Sequence, residues 1–280
     1  MKLGKKERDF IYYLLLTLFG YIMLYPLLWL LGSSFKEHSE IFANITSLIP
    51  KEFTWNNYIE GWKGFGGISF ATFFKNSFIV AILETLGVVF SSTLIAYGFA
   101  RISFLGRNFW FYCMLTTMML PFQVTMIPRY ILFLNFGWVN SFKPLVIPAY
   151  FGAPFYIFMI RQFISGIPLE LDESAFIDGA GRLRIFWNII LPNIKPAIIT
   201  ATIFTFYGAW NDFMGPLLYL NRPELFTVSL ALRAFSDPSA VTNWGAVFAM
   251  SVLSLIPILV IFVLLQKYIV RGIITTGIRG

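Results

Sequence analysis

Six long apolar runs constrain this chain more than any other feature of its sequence. The first, Phe10–Phe35, contains no charged residue and is longer than the roughly 20 residues that a transmembrane helix needs. Only 12% of the 280 residues are charged and 58% are hydrophobic, whereas soluble domains carry about 25% charged residues. The predicted fold is therefore all-α, a polytopic bundle of six transmembrane helices in a single domain, 1–280, with spans at about 10–32, 77–100, 108–128, 144–163, 196–218 and 244–266.

The basic residues set the expected orientation of these spans. Lys and Arg are densest in the short segments 1–9, 101–107, 161–195 and 267–280, and such residues favour the cytoplasmic side. A basic start can also open a secretory signal peptide, but the apolar run that follows here is longer than a signal core. We expect a multi-pass protein of the plasma or inner membrane with both termini in the cytoplasm. The formal charge of +7 is spread over these loops, so it indicates orientation and no nucleic-acid partner.

Few side chains are suited to enzyme chemistry. Cys113 is the only cysteine and lies in an apolar run, which excludes an intramolecular disulfide and disfavours a thiolate metal site. His38 is the only histidine, and no Walker A pattern for ATP binding occurs. We therefore expect a protein that is not an enzyme, with no catalytic residue, no metal and no cofactor. Its energy has to come from a partner or from a gradient, and a secondary transporter or channel would also fit the spans.

Between the fourth and fifth spans, the polar segment 168–192 carries the densest pattern in the chain. Pro168 and the acidic residues after it suit the first turn of a helix. Gly179 and Gly181 are expected to end that helix, because glycine accepts the left-handed conformation common at helix ends. A second short helix then leads to Pro192, which interrupts the chain before the fifth span. The pattern predicts a cytoplasmic helix, glycine turn and helix; an ordinary amphipathic linker is the alternative.

The same segment resembles the EAA loop of ABC importer permeases. That loop reads Glu-Ala-Ala, three residues, Gly, nine residues and Ile-x-Leu-Pro, and the spacing is kept here with Ser174 in place of the middle alanine. The resemblance implies the type I importer permease fold, and a loop that docks into a cytoplasmic ATPase and transmits its closure to the spans. It assigns ATPase coupling to Glu173, Ser174, Ala175, Asp178, Gly179, Ile189, Leu191 and Pro192.

Two polar sites lie at the expected depth of the membrane. Glu84 in the second span has to face protein or water, so it lines a translocation path or makes a structural bond to a neighbouring helix or a partner permease. Trp210, Asn211 and Asp212 lie near the outer end of the fifth span. They would offer an aromatic platform and polar groups to a sugar on the translocation path, or form an aromatic belt at a polar helix end.

Further strings resemble the carbohydrate branch of these importers, most closely the second permease subunit of maltose-type systems. A Trp-Asn-x-Phe-x-x-Pro-Leu string runs from Trp210 to Leu217, and a Thr-Val-x-Leu string from Thr227 to Leu230. The resemblance implies import of sugars or oligosaccharides, with amino acids or peptides as the alternative cargo. It also implies four partners: a second permease subunit in a heterodimer, two cytoplasmic ATP-binding subunits, an extracellular solute-binding protein and the lipid bilayer. The outer loop Asn221–Asn243 would reach the binding protein, or would be a plain solvated loop.

Overall fold

The computed structural model describes residues 5–236 and 243–277, and these residues are largely helical with no β-strand among them. The helices are α1 (Lys5–Ser33), α2 (His38–Ala43), α3 (Asn56–Lys63), α4 (Phe70–Arg101), α5 (Arg107–Thr117), α6 (Phe122–Asn135), α7 (Lys143–Val146), α8 (Pro154–Ser165), α9 (Glu170–Ile177), α10 (Arg182–Ile185), α11 (Leu191–Asn193), α12 (Lys195–Asn211), α13 (Met214–Tyr219), α14 (Val228–Phe235) and α15 (Trp244–Gly277). The all-α prediction is confirmed.

Four helical segments are long and apolar enough to cross a membrane, namely Lys6–Ser33, Phe70–Arg101, Lys143–Ser165 and Trp244–Gln266. Two bent helix pairs raise the number to six if each pair makes one span. One pair joins α5 and α6 at an angle of 97° and the other joins Arg182–Asn193 and α12 at 76°. The six spans predicted from the apolar runs thus equal the larger of the two numbers that the described residues allow.

The third predicted span, 108–128, differs from the structure. The chain bends by 97° after Thr117, and the second helix continues to Asn135. Pro121 precedes this helix in an extended conformation, with φ −60° and ψ 141°, and proline cannot donate the backbone hydrogen bond that would continue α5. The apolar run therefore holds two helices where one span was predicted.

The chain forms two compact units, Met1–Ala71 with Leu232–Ile256, and Thr72–Ala231 with Pro257–Gly280. In the first unit, the most apolar stretch of α1 contains no buried residue. Between α1 and α4 the chain folds around Lys36, a fully buried lysine whose Nζ donates to the carbonyl oxygens of Asn44 and Ser47 at 3.4 and 2.5 Å. The prediction of a single permease domain over 1–280 stays a prediction.

The second unit has a core that joins the C-terminal half of α4 to three later helical segments. Ala96 and Tyr97 of α4 pack with a buried row of isoleucines on α8, with the stretch 185–194 and with the first turns of α12. Small residues on α12 (Ala197 and Ala201) are fully buried in this cluster, which allows close approach of the neighbouring helices. This core carries the segment between α8 and α12, in which the EAA pattern lies.

Candidate coupling segment and transport cavity

The coupling segment, defined here as residues 168–192, has the predicted arrangement of helix, glycine turn and helix. At the end of α9 the Gly179 N–H donates to Phe176 O at 3.0 Å and the Ala180 N–H donates to Ala175 O at 2.9 Å. This pair of bonds is a Schellman motif, and it requires a left-handed residue. Gly179 supplies that residue with φ +78°. Gly181 differs from the prediction, because it is extended (φ −74°, ψ 166°) and precedes α10.

A buried ion pair fastens α9 to the C-terminal end of α4. Arg101 Nε lies 2.9 Å from Asp172 Oδ2, and the two side chains are only 5% and 9% exposed. The same guanidinium donates through Nη2 to Ile167 O at 2.7 Å. One turn earlier on α4, the Tyr97 hydroxyl donates to Arg182 O at 3.0 Å. Both halves of the coupling segment are therefore attached to α4.

The inner face of the coupling segment packs into the core of the second unit. Ile185, Phe186 and Ile190 are almost fully buried there, and Ile189 and Leu191 are half-buried against the same cluster. After Ile185 the helix widens into a single π turn over Phe186–Ile190 and continues as α11. The segment meets α12 at Ile194, where the chain bends by 76°.

Ala175 packs inward as well. It is half-buried against the core cluster, as is Ala180. Part of the Ala175 side chain is therefore covered by the chain itself, and its assignment to ATPase coupling stays a prediction. Ser174 is exposed, and its hydroxyl donates to Leu171 O at 3.1 Å within the helix.

The outer face of the coupling segment is exposed and mostly apolar. Ile177 is 87% exposed, Leu183 is 72% exposed and Phe176 is 50% exposed. Two carboxylates, Glu173 and Asp178, are exposed beside them, and Gly179 and Pro192 are exposed as well. Apolar side chains grouped in this way mark interaction sites, because a soluble surface rarely leaves them uncovered.

A cavity of about 690 Å³ opens between α4, α6, the stretch 144–154 and the start of α13. Its charged lining groups are Glu84, Arg129 and Asp212, and Phe133, Trp138 and Tyr219 are among its aromatic walls. Glu84 is half-buried at this wall. Asp212 Oδ1 accepts the Gly215 N–H at 3.1 Å, so one oxygen of this carboxylate caps the first turn of α13.

The structure brings together two of the four residues predicted for the translocation path. Glu84 and Asp212 both line the cavity. Trp210 does not, since it is 2% exposed and its ring packs against Phe78 at 4.8 Å and Phe206 at 5.7 Å between ring centroids. Asn211 is exposed, and its amide donates to Tyr207 O at 2.8 Å within α12.

Sequence reasoning missed the side chains that hold these parts together. The sequence patterns identify Arg101 only as a basic residue of the segment 101–107 and Asp172 only as one of the acidic residues after Pro168, and they assign no role to Arg129. Arg101 and its acceptor Ile167 are 66 residues apart in the sequence, so no local pattern pairs them. A charged residue just after an apolar run is the one signal that pointed to Arg101.

The segment 221–228, which belongs to the predicted outer loop, is held by three polar side chains. Asn76 of α4 donates through Nδ2 to Glu224 O at 2.8 Å and to Phe226 O at 3.0 Å. The next residue, Ser77, accepts the Val228 N–H at 2.8 Å. Asn140, left-handed with φ 65°, accepts two backbone N–H groups, those of residues 221 and 222, at 3.2 Å each. Residues 237–242 of the predicted binding-protein loop Asn221–Asn243 lie outside the described residues.

These features define a polytopic helical membrane protein with an exposed, mostly apolar segment between two of its helices. Residues 89–275 match the family of the binding-protein-dependent transport system inner membrane component, and the chain belongs to this family. It is 36% identical over 257 residues to the probable ABC transporter permease protein YurM of Bacillus subtilis, covering 91% of this chain and 84% of that protein.

Two further comparisons cover almost the whole chain. The arabinooligosaccharides transport system permease protein AraQ of Halalkalibacterium halodurans is 33% identical, covering 93% of each chain. A crystal structure of a bacterial ABC transporter involved in the import of the acidic polysaccharide alginate contains a chain that matches with a TM-score of 0.83. That match covers 96% of this chain and 99% of the other at 21% identity, so it shows the fold alone. The predicted type I importer permease fold is thereby confirmed.

Proposed function

We propose that this chain is one half of the channel of an ATP-driven importer that moves sugars or oligosaccharides into the cytoplasm. It pairs with a second permease subunit in a heterodimer, and two cytoplasmic ATP-binding subunits drive the pair. An extracellular solute-binding protein delivers the cargo to the outer loop Asn221–Asn243. Both termini lie in the cytoplasm, so the coupling segment faces the ATPase.

The observation that carries this proposal is the two-sided construction of the coupling segment. Its inner face is fastened to α4, α8 and α12, while its outer face exposes Ile177 and Leu183 beside carboxylates. A segment that only linked two spans would gain nothing from an exposed apolar surface in water. A segment that docks into a moving partner needs this surface outside and a stiff attachment inside. Closure of the ATPase would then move the attached helices as one body.

The eight coupling residues have separate roles in this proposal. Glu173 and Asp178 offer carboxylates to basic or donor groups of the ATPase. Gly179 provides the left-handed residue of the turn. The small side chain of Ser174 allows the ATPase to approach this face closely. The other four, Ala175, Ile189, Leu191 and Pro192, attach the docking surface to the fifth span.

The saccharide cargo is supported by the relatives and by the chemistry of the cavity. AraQ is named for the transport of arabino-oligosaccharides. Aromatic faces such as Trp138 can stack on sugar rings, and carboxylates such as Glu84 and Asp212 accept hydrogen bonds from hydroxyl groups. The proposal keeps these two acids on the translocation path and leaves out Trp210 and Asn211, which do not line the cavity.

Purification of the tagged chain from its native membrane in mild detergent, followed by mass spectrometry, tests the assembly. We expect an ATPase, a second permease and a solute-binding protein to accompany the chain. The purified assembly is then reconstituted in vesicles and supplied with ATP and one of three cargoes: arabino-oligosaccharides, alginate oligosaccharides or peptides. ATP-dependent uptake of a saccharide supports the proposal. Uptake without ATP would favour a secondary transporter, and uptake of peptides alone would overturn the saccharide cargo.

A single substitution tests the role of the coupling segment within that assembly. Gly179→Asp adds a charged side chain at a left-handed position on the exposed face, where an added Cβ meets open space. We expect normal insertion in the membrane but loss of the link between ATP hydrolysis and uptake. Unchanged uptake in this variant would contradict the docking of this turn.

A further inference from the structure

We propose that α4 transmits the docking of the solute-binding protein from the outer segment 221–228 to the coupling segment 168–192. This inference rests on the proposed function, since it needs a binding protein outside and an ATPase inside. It adds a route between them and names the side chains that attach each end of α4. The side chains that make these attachments, and the groups that they bond to, all belong to the second compact unit.

At the outer end, α4 is bonded directly to the backbone of the outer segment. Asn76 donates to Glu224 O and Phe226 O at 2.8 and 3.0 Å, and Ser77 accepts the Val228 N–H at 2.8 Å. These bonds satisfy backbone groups of an irregular stretch, which has no regular helix or sheet to satisfy them. They therefore fix the position of its backbone relative to α4. Any displacement of the segment 224–228 must therefore displace the start of α4 or break three hydrogen bonds.

In its middle, α4 is bonded to the wall of the cavity. The Ser91 hydroxyl donates to Ala149 O at 3.0 Å, and the Ala153 N–H donates to Ser92 Oγ at 3.1 Å. Residues 149 and 153 both line the cavity, as does Glu84 of α4 itself. The same helix therefore carries part of the proposed cargo path.

At the inner end, α4 is bonded to both halves of the coupling segment. Tyr97 donates to Arg182 O at 3.0 Å, and Arg101 pairs with Asp172 and donates to Ile167 O. From residue 76 to residue 101 a helix rises by about 38 Å at about 1.5 Å per residue, which exceeds the roughly 30 Å of the hydrocarbon core. One uninterrupted helix thus reaches from one attachment to the other.

The internal sequence of α4 supports a rigid rod. No proline interrupts the 32 residues from Phe70 to Arg101, whereas α5 and α6 meet at an angle of 97° and Arg182–Asn193 meets α12 at 76°. Coupling between distant sites requires an element that both sites bias. A straight helix bonded at both ends to the two docking elements meets this requirement, because tilting or sliding it changes both ends together.

A double-mutant cycle in the whole transporter tests the relay. Asn76→Leu removes both donors at the outer end, and Tyr97→Phe removes the donor at the inner end while keeping the ring. Thr93→Val is the matched control, because the Thr93 hydroxyl donates to Val89 O within the same helix at 2.6 Å. The measured quantity is the ratio of the ATPase rate with and without the co-purified solute-binding protein. That protein is saturated with the saccharide that supports uptake.

We expect each single variant to lower this ratio by about tenfold, within the range known for coupled sites, and the control to leave it unchanged. The double variant should be no worse than either single variant, because two breaks in one serial route cost no more than one. Multiplied effects in the double variant would overturn the relay, and so would a wild-type ratio in an assembled Asn76→Leu transporter. If Asn76→Leu does not assemble, Ser77→Ala takes its place with the same outcomes.

The outcomes separate this inference from the proposed function. If the wild-type assembly takes up saccharide with ATP but the variants keep the full ratio, the relay is wrong and the function stands. If no ATPase accompanies the wild-type chain, the proposed function itself fails.

Discussion

Replacing Asp172 with alanine removes the carboxylate that neutralises Arg101 at the inner end of α4. Both side chains are nearly excluded from solvent, at 9% and 5% exposure, so water cannot replace the lost partner. Removing one member of a buried ion pair costs about 3–5 kcal/mol. Arg101 keeps its hydrogen bond to Ile167 O, so we expect a cost near the lower end, about 3 kcal/mol. The lost free energy weakens the contact between α9 and α4.

The assay compares three variants in the assembled transporter by thermal unfolding and by ATP-driven uptake. Asp172→Ala should unfold at a clearly lower temperature and lose most of its uptake. Glu170→Ala is the matched control, since it removes an exposed carboxylate from the same helix and such surface changes shift stability by at most about 0.5 kcal/mol. The charge exchange Asp172→Arg with Arg101→Asp should recover part of both properties. If Asp172→Ala unfolds and transports like Glu170→Ala, the ion pair does not hold the coupling segment.

Substitutions at three other positions test the turn, the buried tryptophan and the segment 221–222. Gly179→Ala should weaken ATPase co-purification more than Gly179→Asn, because the left-handed conformation costs alanine about 1–2 kcal/mol and asparagine tolerates it. Equal amounts of co-purified ATPase would contradict a requirement for the left-handed turn. Trp210→Ala should destabilise the chain by about 3–5 kcal/mol in thermal unfolding, while Trp210→Phe should keep the uptake KM, and a raised KM would return this ring to the cargo path. Asn140→Ala removes the acceptor for two N–H groups, so the rate of amide hydrogen exchange at residues 221–222 should rise several-fold. An unchanged exchange rate would show that Asn140 does not hold these residues.

Local patterns predicted the elements of the coupling segment. The EAA spacing placed a glycine at the turn, and Gly179 takes the left-handed conformation that the prediction required. The apolar runs predicted the long helices well, because burial in lipid demands a continuous hydrophobic surface over a fixed length. These properties depend on neighbours in sequence, so a single sequence contains them.

Contacts between distant parts of the chain could not be predicted in the same way. The bonds of Asn76 join residues 148 and 150 positions apart, and that of Tyr97 joins residues 85 positions apart. Trp210 looked like a platform for a sugar because its neighbours in sequence are polar, yet its ring packs against phenylalanines of α4 and α12. The 97° bend likewise depends on a proline in a run whose hydropathy continues unchanged.

Site-specific photo-crosslinking tests the central claim most directly. A photoreactive amino acid replaces Ile177, the most exposed apolar residue of the coupling segment at 87%, in cells that contain the whole transporter. The same photoreactive amino acid placed at Ile49 is the matched control. Ile49 is 78% exposed and lies between the first two predicted spans, on the side of the membrane opposite the coupling segment in the proposed orientation. The account predicts a crosslink from position 177 to the ATP-binding subunit and none from position 49. A crosslink to that subunit from position 49, or none from position 177 while the ATPase still co-purifies, would contradict it.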